Sequence, residues 1–232
     1  MRTLSGIPGA SACELATRSS RGVEPATIAR ASQAVAAMKS RRARFCVALL
    51  HAGCIRTNRA DPGDIALMDG IAKCGFHVVA ACHSHRISGA KLFPAAHGGP
   101  SACFYGLGSV VSGFVASPLE REGLIVVAGL NSSGALARLE VRPVLLAESG
   151  FGQVPPPESR GAILNRFSGL SEEIADGSSK HLFYEDMSEG LMQLYFRDAK
   201  AAFRQAGICG LARKAGRLRM RHVRRLVHRV IA

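Results

Sequence analysis

Apolar residues take up a helical period early in the chain. Ile28, Ala31, Val35 and Met38 recur three or four positions apart, Pro25 suits a first helical turn, and Arg41, Arg42 and Arg44 close the segment. The continuously apolar run FCVALL, Phe45 to Leu50, has strand length and is of the kind expected in a sheet covered on both faces. DPGDIALMDGIAKCG then carries helix signals at both ends. Asp61 can cap, Pro62 can occupy the first turn, Ile65, Met68 and Ile71 form the apolar stripe, and Gly75 can stop the helix in a left-handed conformation. HVVAAC follows as a second apolar strand. Strand, helix and strand within about forty residues predict a right-handed crossover between two parallel strands.

Three further strand-like runs come next: ACFYGLGSVV, GLIVVAGL and ALARLEVRPVLL, with NSSG, Asn131 to Gly134, as a hairpin connection between the last two. GQVPPPESRG marks a boundary, a short helix follows with Ile163, Leu164, Phe167 and Leu170, and DGSS makes a second break. From Asp186 onward the pattern is helical and increasingly basic, whereas residues 1–22 are small, polar and without period. The predicted organisation is a loose tail over 1–22, an α/β domain over 23–177 and a basic helical region over 178–232.

Length and composition bound this picture. With 232 residues, 47% hydrophobic and 20% charged, the chain has material for one domain of ordinary size and a smaller appendage. The net charge of +13 is concentrated: from Arg197 to the end eleven Lys or Arg stand against the single acid Asp198, so the basic character belongs to a tail. No window approaches the run of about eighteen apolar residues that a membrane helix needs, and the first residues lack the sustained apolar stretch of a secretory signal. Seven scattered cysteines without a repeated spacing suit free thiols in a reducing compartment. As the chain stands, the expected location is cytoplasmic, with peripheral membrane association open to it.

The chemistry gathers at the strand ends. In an open parallel sheet functional groups collect at the carboxyl ends of the strands, and His51 follows FCVALL while His83 and His85 follow VVAAC. Residues two apart on a strand point to one side, so His83 and His85 can address one site together. Neutral imidazole is a common nitrogen ligand for zinc and similar metals, and the competing reading is a polar strand end. His77 and His97 read as polar residues satisfied by backbone carbonyls. Cys54, Cys74 and Cys82 lack the CxxC spacing of a structural zinc site. Asp61 reads as a cap, Asp64 and Asp69 as solvated.

The ordered motifs LLHAG, DPGDIALMDGIAKCGFHVVAACHSH, FYGLGSVV, EREGLIVV and LEVRPVLL resemble the C-terminal half of the CapA family of capsule and poly-gamma-glutamate synthesis proteins, over roughly residues 24–171. The resemblance implies the C-terminal half of a four-layer α/β/β/α, calcineurin-like metallophosphatase sandwich. His51 falls on the family's His-Trp-Gly motif, His83 and His85 on its His-Pro-His motif, and Tyr105, Leu107, Gly108 and Ser109 on its Tyr-Ser-Leu-Gly-Asn stretch. Ala52, Cys82, Ser84 and Ser109 depart from the residues usual there. The resemblance thus implies His51, His83 and His85 as ligands of a divalent metal (Mn, Zn or Fe), with Tyr105, Gly108 and Ser109 lining the site. The family's upstream Gly-Asp, Asn-Leu-Glu and Asn-His segments have no counterpart in residues 1–44, whose only acids are Glu14 and Glu24. Two divalent ions about 4 Å apart need carboxylate charge between them, so a single cation is the largest expectation. A sandwich without its first strands exposes edges that a second copy or a partner chain can cover.

The tail CGLARKAGRLRMRHVRRLVHRVIA reads as an amphipathic helix in which Arg213, Lys214, Arg217, Arg219, Arg221, Arg224, Arg225 and Arg229 can lie against an anionic polymer or membrane surface. It lacks the features of specific nucleic-acid recognition; His222 and His228 face solvent or anions. Two functions follow: a CapA-like protein of capsule or poly-gamma-glutamate production working as a metal-dependent phosphoesterase-type hydrolase, or a non-catalytic relative that holds a polyanion or membrane through its tail.

Overall fold

The computed structural model describes residues 26–55, 57–94, 99–113, 115, 117–187, 200, 203 and 204. The N-terminal tail, His97, His222, His228 and all eight basic positions from Arg213 to Arg229 lie outside the described residues. The chain divides into two units, residues 1–180 and 181–232. The elements below belong to the first.

In chain order these are α1 (Ile28–Ser40), β1 (Val47–Leu50), α2 (Pro62–Lys73), β2 (Val78–Ala81), β3 (Ala90–Pro94), β4 (Pro100–Phe104), β5 (Glu122–Leu130), β6 (Leu136–Leu146), β7 (Gly152–Gln153) and α3 (Pro157–Asp176). A four-stranded sheet has the order β1-β2-β4-β3, and a three-stranded sheet the order β5-β6-β7. β1, β2 and β4 run parallel, with Val47 opposite Val78 and Val79 opposite Cys103; β3 pairs antiparallel to β4. The strand, helix and parallel strand that the sequence predicts are β1, α2 and β2. The class is α/β.

The two faces of β2 explain the layers. Val79 and Ala81 join Ala31, Val35, Met68, Ile71, Ala72 and Tyr105 under α1 and α2. Val78 and Ala80, alternating with them, join Ala102 and Phe104 against Leu136, Val126, Ala128 and Leu139 of the second sheet and Phe167 of α3. α2 begins as its sequence predicts, Asp61 accepting the Gly63 N–H at 2.7 Å, whereas α1 begins at Ile28 with Thr27 as its cap, accepting the Arg30 N–H at 3.2 Å, and Pro25, expected in the first turn, lies outside the described residues. Ile28 is 49% exposed, yet its Cδ1 lies 2.4 Å from where a β-carbon on Gly70 of α2 would stand, so the stripe of α1 begins with a residue that packs at the rim of the core.

Several expectations are corrected. β1 is shorter than FCVALL, ends the sheet among the described residues and is not covered on both faces, since Val47 and Leu49 are 39% and 74% exposed. β3, AKLFP, is a strand that the apolar pattern does not predict, because Lys91 and Pro94 mark an edge more than an apolar strand. ACFYGLGSVV yields a strand only as far as Phe104, because the chain crosses to the second sheet at Gly108, bridged to Gly123. The helix after the prolines is not short; α3 runs 20 residues from Pro157 in its first turn to a left-handed Gly177. The outer face of the second sheet is laced by Arg138–Glu140 and Arg142–Glu140 ion pairs.

α3 ties the loops that follow the parallel strands. Glu173 accepts from Nε and Nη2 of Arg59 at 2.7 and 2.8 Å, Ser171 accepts the Ala90 N–H at 3.0 Å, and Arg166 pairs with Glu122. No helix among the described residues is long and apolar enough to cross a membrane.

Candidate functional site: the histidine edge

β1 and β2 are neighbours in register, Leu50 opposite Ala81, so the chain leaves both strands at the same edge of the sheet. His51 is the first residue after β1; His83 is the second after β2. Their rings meet with centroids 4.4 Å apart, and the His85 ring lies 6.4 Å from that of His83. The edge is open: His51 and His85 are exposed and His83 is half-buried.

Strand alternation does not bring His83 and His85 together, because β2 ends at Ala81 and both lie in the following turn. Ser84 between them is buried. Its hydroxyl donates to the Arg86 carbonyl at 2.9 Å and accepts the Arg86 N–H at 3.4 Å, closing the turn around His85. His85 takes φ 57, a left-handed value unusual for a residue with a β-carbon. The His51 loop packs directly on this turn: Gly53 has φ 129, and a β-carbon there would lie 3.2 Å from the Ser84 nitrogen. Asn58 adds a bond from its side-chain amide to the Ile87 carbonyl at 3.0 Å.

The electrostatics favour a neutral ring at His83. Burial lowers the pKa of His83, and the neighbouring His51 and His85 lower it further, since each would repel a second imidazolium.

The other expected site residues divide. Ser109 joins the group, its Oγ 3.3 Å from His85 Nδ1. Gly108 positions it: φ is 68, and a β-carbon would fall 2.2 Å from the Glu122 carbonyl oxygen. Tyr105 does not line the histidine edge. It is 2% exposed in the core under α2, and its hydroxyl donates to Asp69 Oδ1. Burial, then Cys103 and Asp69, push its pKa far up, so it stays protonated. Asp69 is thus engaged with Tyr105 and with Lys91 at 3.9 Å, and Asp64 is 9% exposed; neither is the solvated acid the sequence suggested. His77 fits its sequence reading, with Nε2 2.9 Å from the Gly134 carbonyl.

Arg86 was missed. Its guanidinium donates to Ser117 Oγ at 3.1 Å and stands 3.8 Å from Glu120, whose side chain is 5% exposed. The available signal was an arginine directly after HSH.

Three imidazoles suit one cation in kind, and as uncharged ligands they do not balance the charge of two. Among the described residues, no group of three or more His, Cys, Asp or Glu side chains is arranged to hold a metal ion, and His51, His83 and His85 as they stand do not form one. The described cysteines, Cys46, Cys54, Cys74, Cys82 and Cys103, are free thiols.

No protein-family model matches the chain, and no curated protein does. Among solved structures, the NAD nucleotidase (NadN) of Haemophilus influenzae is similar over 66% of this chain and 31% of that one, at 13% identity and a TM-score of 0.34. This chain therefore spans about a third of that protein's length, and a likeness at that score carries no argument about its chemistry.

Proposed function

We propose that the histidine edge binds one divalent cation through His51, His83 and His85, and that the chain is a CapA-like, metal-dependent phosphoesterase-type hydrolase serving the production of capsule polymer or poly-gamma-glutamate. The observation that supports this is the meeting of His51 and His83 at 4.4 Å from two adjacent parallel strands, with His85 beside them. Manganese, zinc and iron all suit imidazole donors. When bound, such a cation supplies Lewis-acid polarisation of a phosphoryl oxygen and of water. The chain's own residues do the rest. His83 keeps its lone pair because burial and its neighbours disfavour protonation. Gly53 and Ser84 hold the two histidine loops together. The capsule role rests on the ordered sequence motifs.

The test is metal content of purified protein by plasma mass spectrometry, after incubation with each ion, beside a variant carrying His83→Ala and His85→Ala. One equivalent of metal that disappears in the variant supports the reading and directs a phosphate-ester screen. No uptake by either protein overturns it.

A second reading is favoured by the arrangement of the described residues, among which no group of three or more His, Cys, Asp or Glu side chains is placed to hold a metal ion. In it the chain is non-catalytic and grips an anionic polymer or membrane through Arg213, Lys214, Arg217, Arg219, Arg221, Arg224, Arg225 and Arg229. Salt-sensitive binding to anionic vesicles or poly-glutamate, lost when the arginines from Arg217 to Arg225 become glutamine, supports it.

A further inference from the structure

His85 is held by its surroundings to a degree that a surface turn does not need. Its φ of 57 is disfavoured for any residue with a β-carbon. The Ser84 hydroxyl closes the turn on both polar groups of Arg86, and the buried Ser84 is itself covered by Gly53. The ring is then met by Ser109 Oγ at Nδ1.

Ser109 is also fixed. It is 6% exposed, and its backbone N–H donates to the Glu122 carbonyl at 3.2 Å. Gly108 before it leaves no room for a side chain, and the absent side chain of Gly123 allows the Ser109 carbonyl to pass where a β-carbon would stand 2.2 Å away. The position of the hydroxyl is therefore set by a crossing of two backbones. A neutral imidazole carries one N–H, and the partner at one nitrogen decides which nitrogen keeps the lone pair.

We propose that Ser109 is a positioning residue: its hydroxyl accepts a hydrogen bond from Nδ1–H of His85 and so leaves the ring's lone pair on Nε2. A ligating histidine commonly donates its other N–H to an oxygen of the protein, which orients the ring. The inference deepens the cation reading and takes its purpose from it, but the tautomer belongs to the metal-free chain.

His77 provides a built-in contrast. Its Nδ1 accepts the Cys46 N–H at 3.0 Å, so its proton sits on Nε2. The same protein should hold the two histidines in opposite tautomers.

The experiment is a two-bond proton–nitrogen correlation spectrum of the full chain, chelator-treated, at mildly alkaline pH, with ring signals assigned through His85→Asn and His77→Asn. His85 is expected with its proton on Nδ1 and His77 with its proton on Nε2. Ser109→Ala is expected to return His85 to the Nε2–H form, and Ser109→Thr to restore the original pattern. Zinc affinity, read by competition with a chromophoric chelator, is expected to fall by about tenfold or more in Ser109→Ala and to recover in Ser109→Thr. A wild-type spectrum with the His85 proton on Nε2, or a pattern unmoved by Ser109→Ala, overturns the inference. Absence of zinc uptake by a wild-type chain that shows the Nδ1–H form overturns the cation reading and upholds the positioning of His85.

Discussion

The Nδ1 atom of His77 accepts the backbone N–H of Cys46 at 3.0 Å, and this bond joins the start of β2 to the start of β1. From its other side the ring reaches the Gly134 carbonyl at 2.9 Å, so one buried imidazole links the four-stranded sheet to the β5–β6 hairpin. Replacing His77 by Ala leaves a buried N–H and a carbonyl without these partners, at a cost of about 3 kcal/mol in unfolding free energy. Asn places its carbonyl oxygen where Nδ1 was, and Gln places its amide where Nε2 was. Each is expected to recover part of the loss in urea denaturation. Equal stability of the Ala variant and the native chain would sink this account.

The pH response of the histidine edge has a definite sign. His83 titrates below its ordinary value of 6.5 in the folded chain, through burial first and the neighbouring histidines second. The unfolded chain therefore takes up the proton first as pH falls through that value, and folding stability declines; above it this residue contributes no slope. Chelator-treated protein is expected to lose stability between about pH 7 and pH 5 more steeply than a His83→Asn variant. Identical slopes for the two would mean that neither burial nor the neighbouring rings act on His83.

How much of this was legible in the sequence depended on local determination. The crossover β1–α2–β2 was readable because Asp61, Pro62 and Gly75 punctuate it and its strands are purely apolar. The hairpin was readable because Asn131 accepts the Ala135 N–H through its side chain at 2.9 Å, a bond within the turn itself. What escaped was set by distant partners. β3 exists because β4 pairs with it and α3 fixes its start through Ser171, and Lys91 and Pro94 hide it. His83 and His85 were rightly placed at the sheet edge for the wrong reason, since a serine-closed turn, not strand alternation, presents them. Tyr105 was misplaced because a motif gives order along the chain but not the face: one residue beyond β4, it turns under α2 to Asp69. Asp64 and Asp69 looked solvated because helix periodicity does not disclose which strand end lies beneath an acid.

Two glycines should respond in opposite directions to one added methyl group. At Gly108 the methyl would fall 2.2 Å from the Glu122 carbonyl oxygen with φ already at 68, so Gly108→Ala is expected to destabilise the fold by about 3 kcal/mol or more. Gly161, inside α3, has nothing within 4 Å of the same atom. There Ala relieves the conformational entropy of glycine in a helix, and a gain of about 0.5–1 kcal/mol is expected. Thermal unfolding of both variants checks the pair; a tolerated Gly108→Ala would show that the β5 crossing is loose and that Ser109 is not held by it.

The exposed edge of the parallel sheet leads to the last prediction. Val47 and Leu49 stand in register with Val78 and Ala80, which are 6% and 4% exposed beneath the second sheet, yet they remain 39% and 74% exposed themselves. The apolar floor thus continues past its roof, on a strand whose far side has no partner among the described residues and which lacks the lysine, proline or bulge that commonly guards an edge. Burying each such side chain contributes about 1.5–3 kcal/mol, which is comparable to the lower estimates of the cost of bringing two chains together only when both copies contribute and backbone hydrogen bonds form as well. A weak, concentration-dependent pairing of two copies through β1 is therefore expected in sedimentation velocity. Leu49→Lys should abolish it while leaving metal uptake at the histidine edge unchanged. Sedimentation of the native chain as a monomer at every concentration would mean that something other than a second copy covers this face, or that the floor tolerates water.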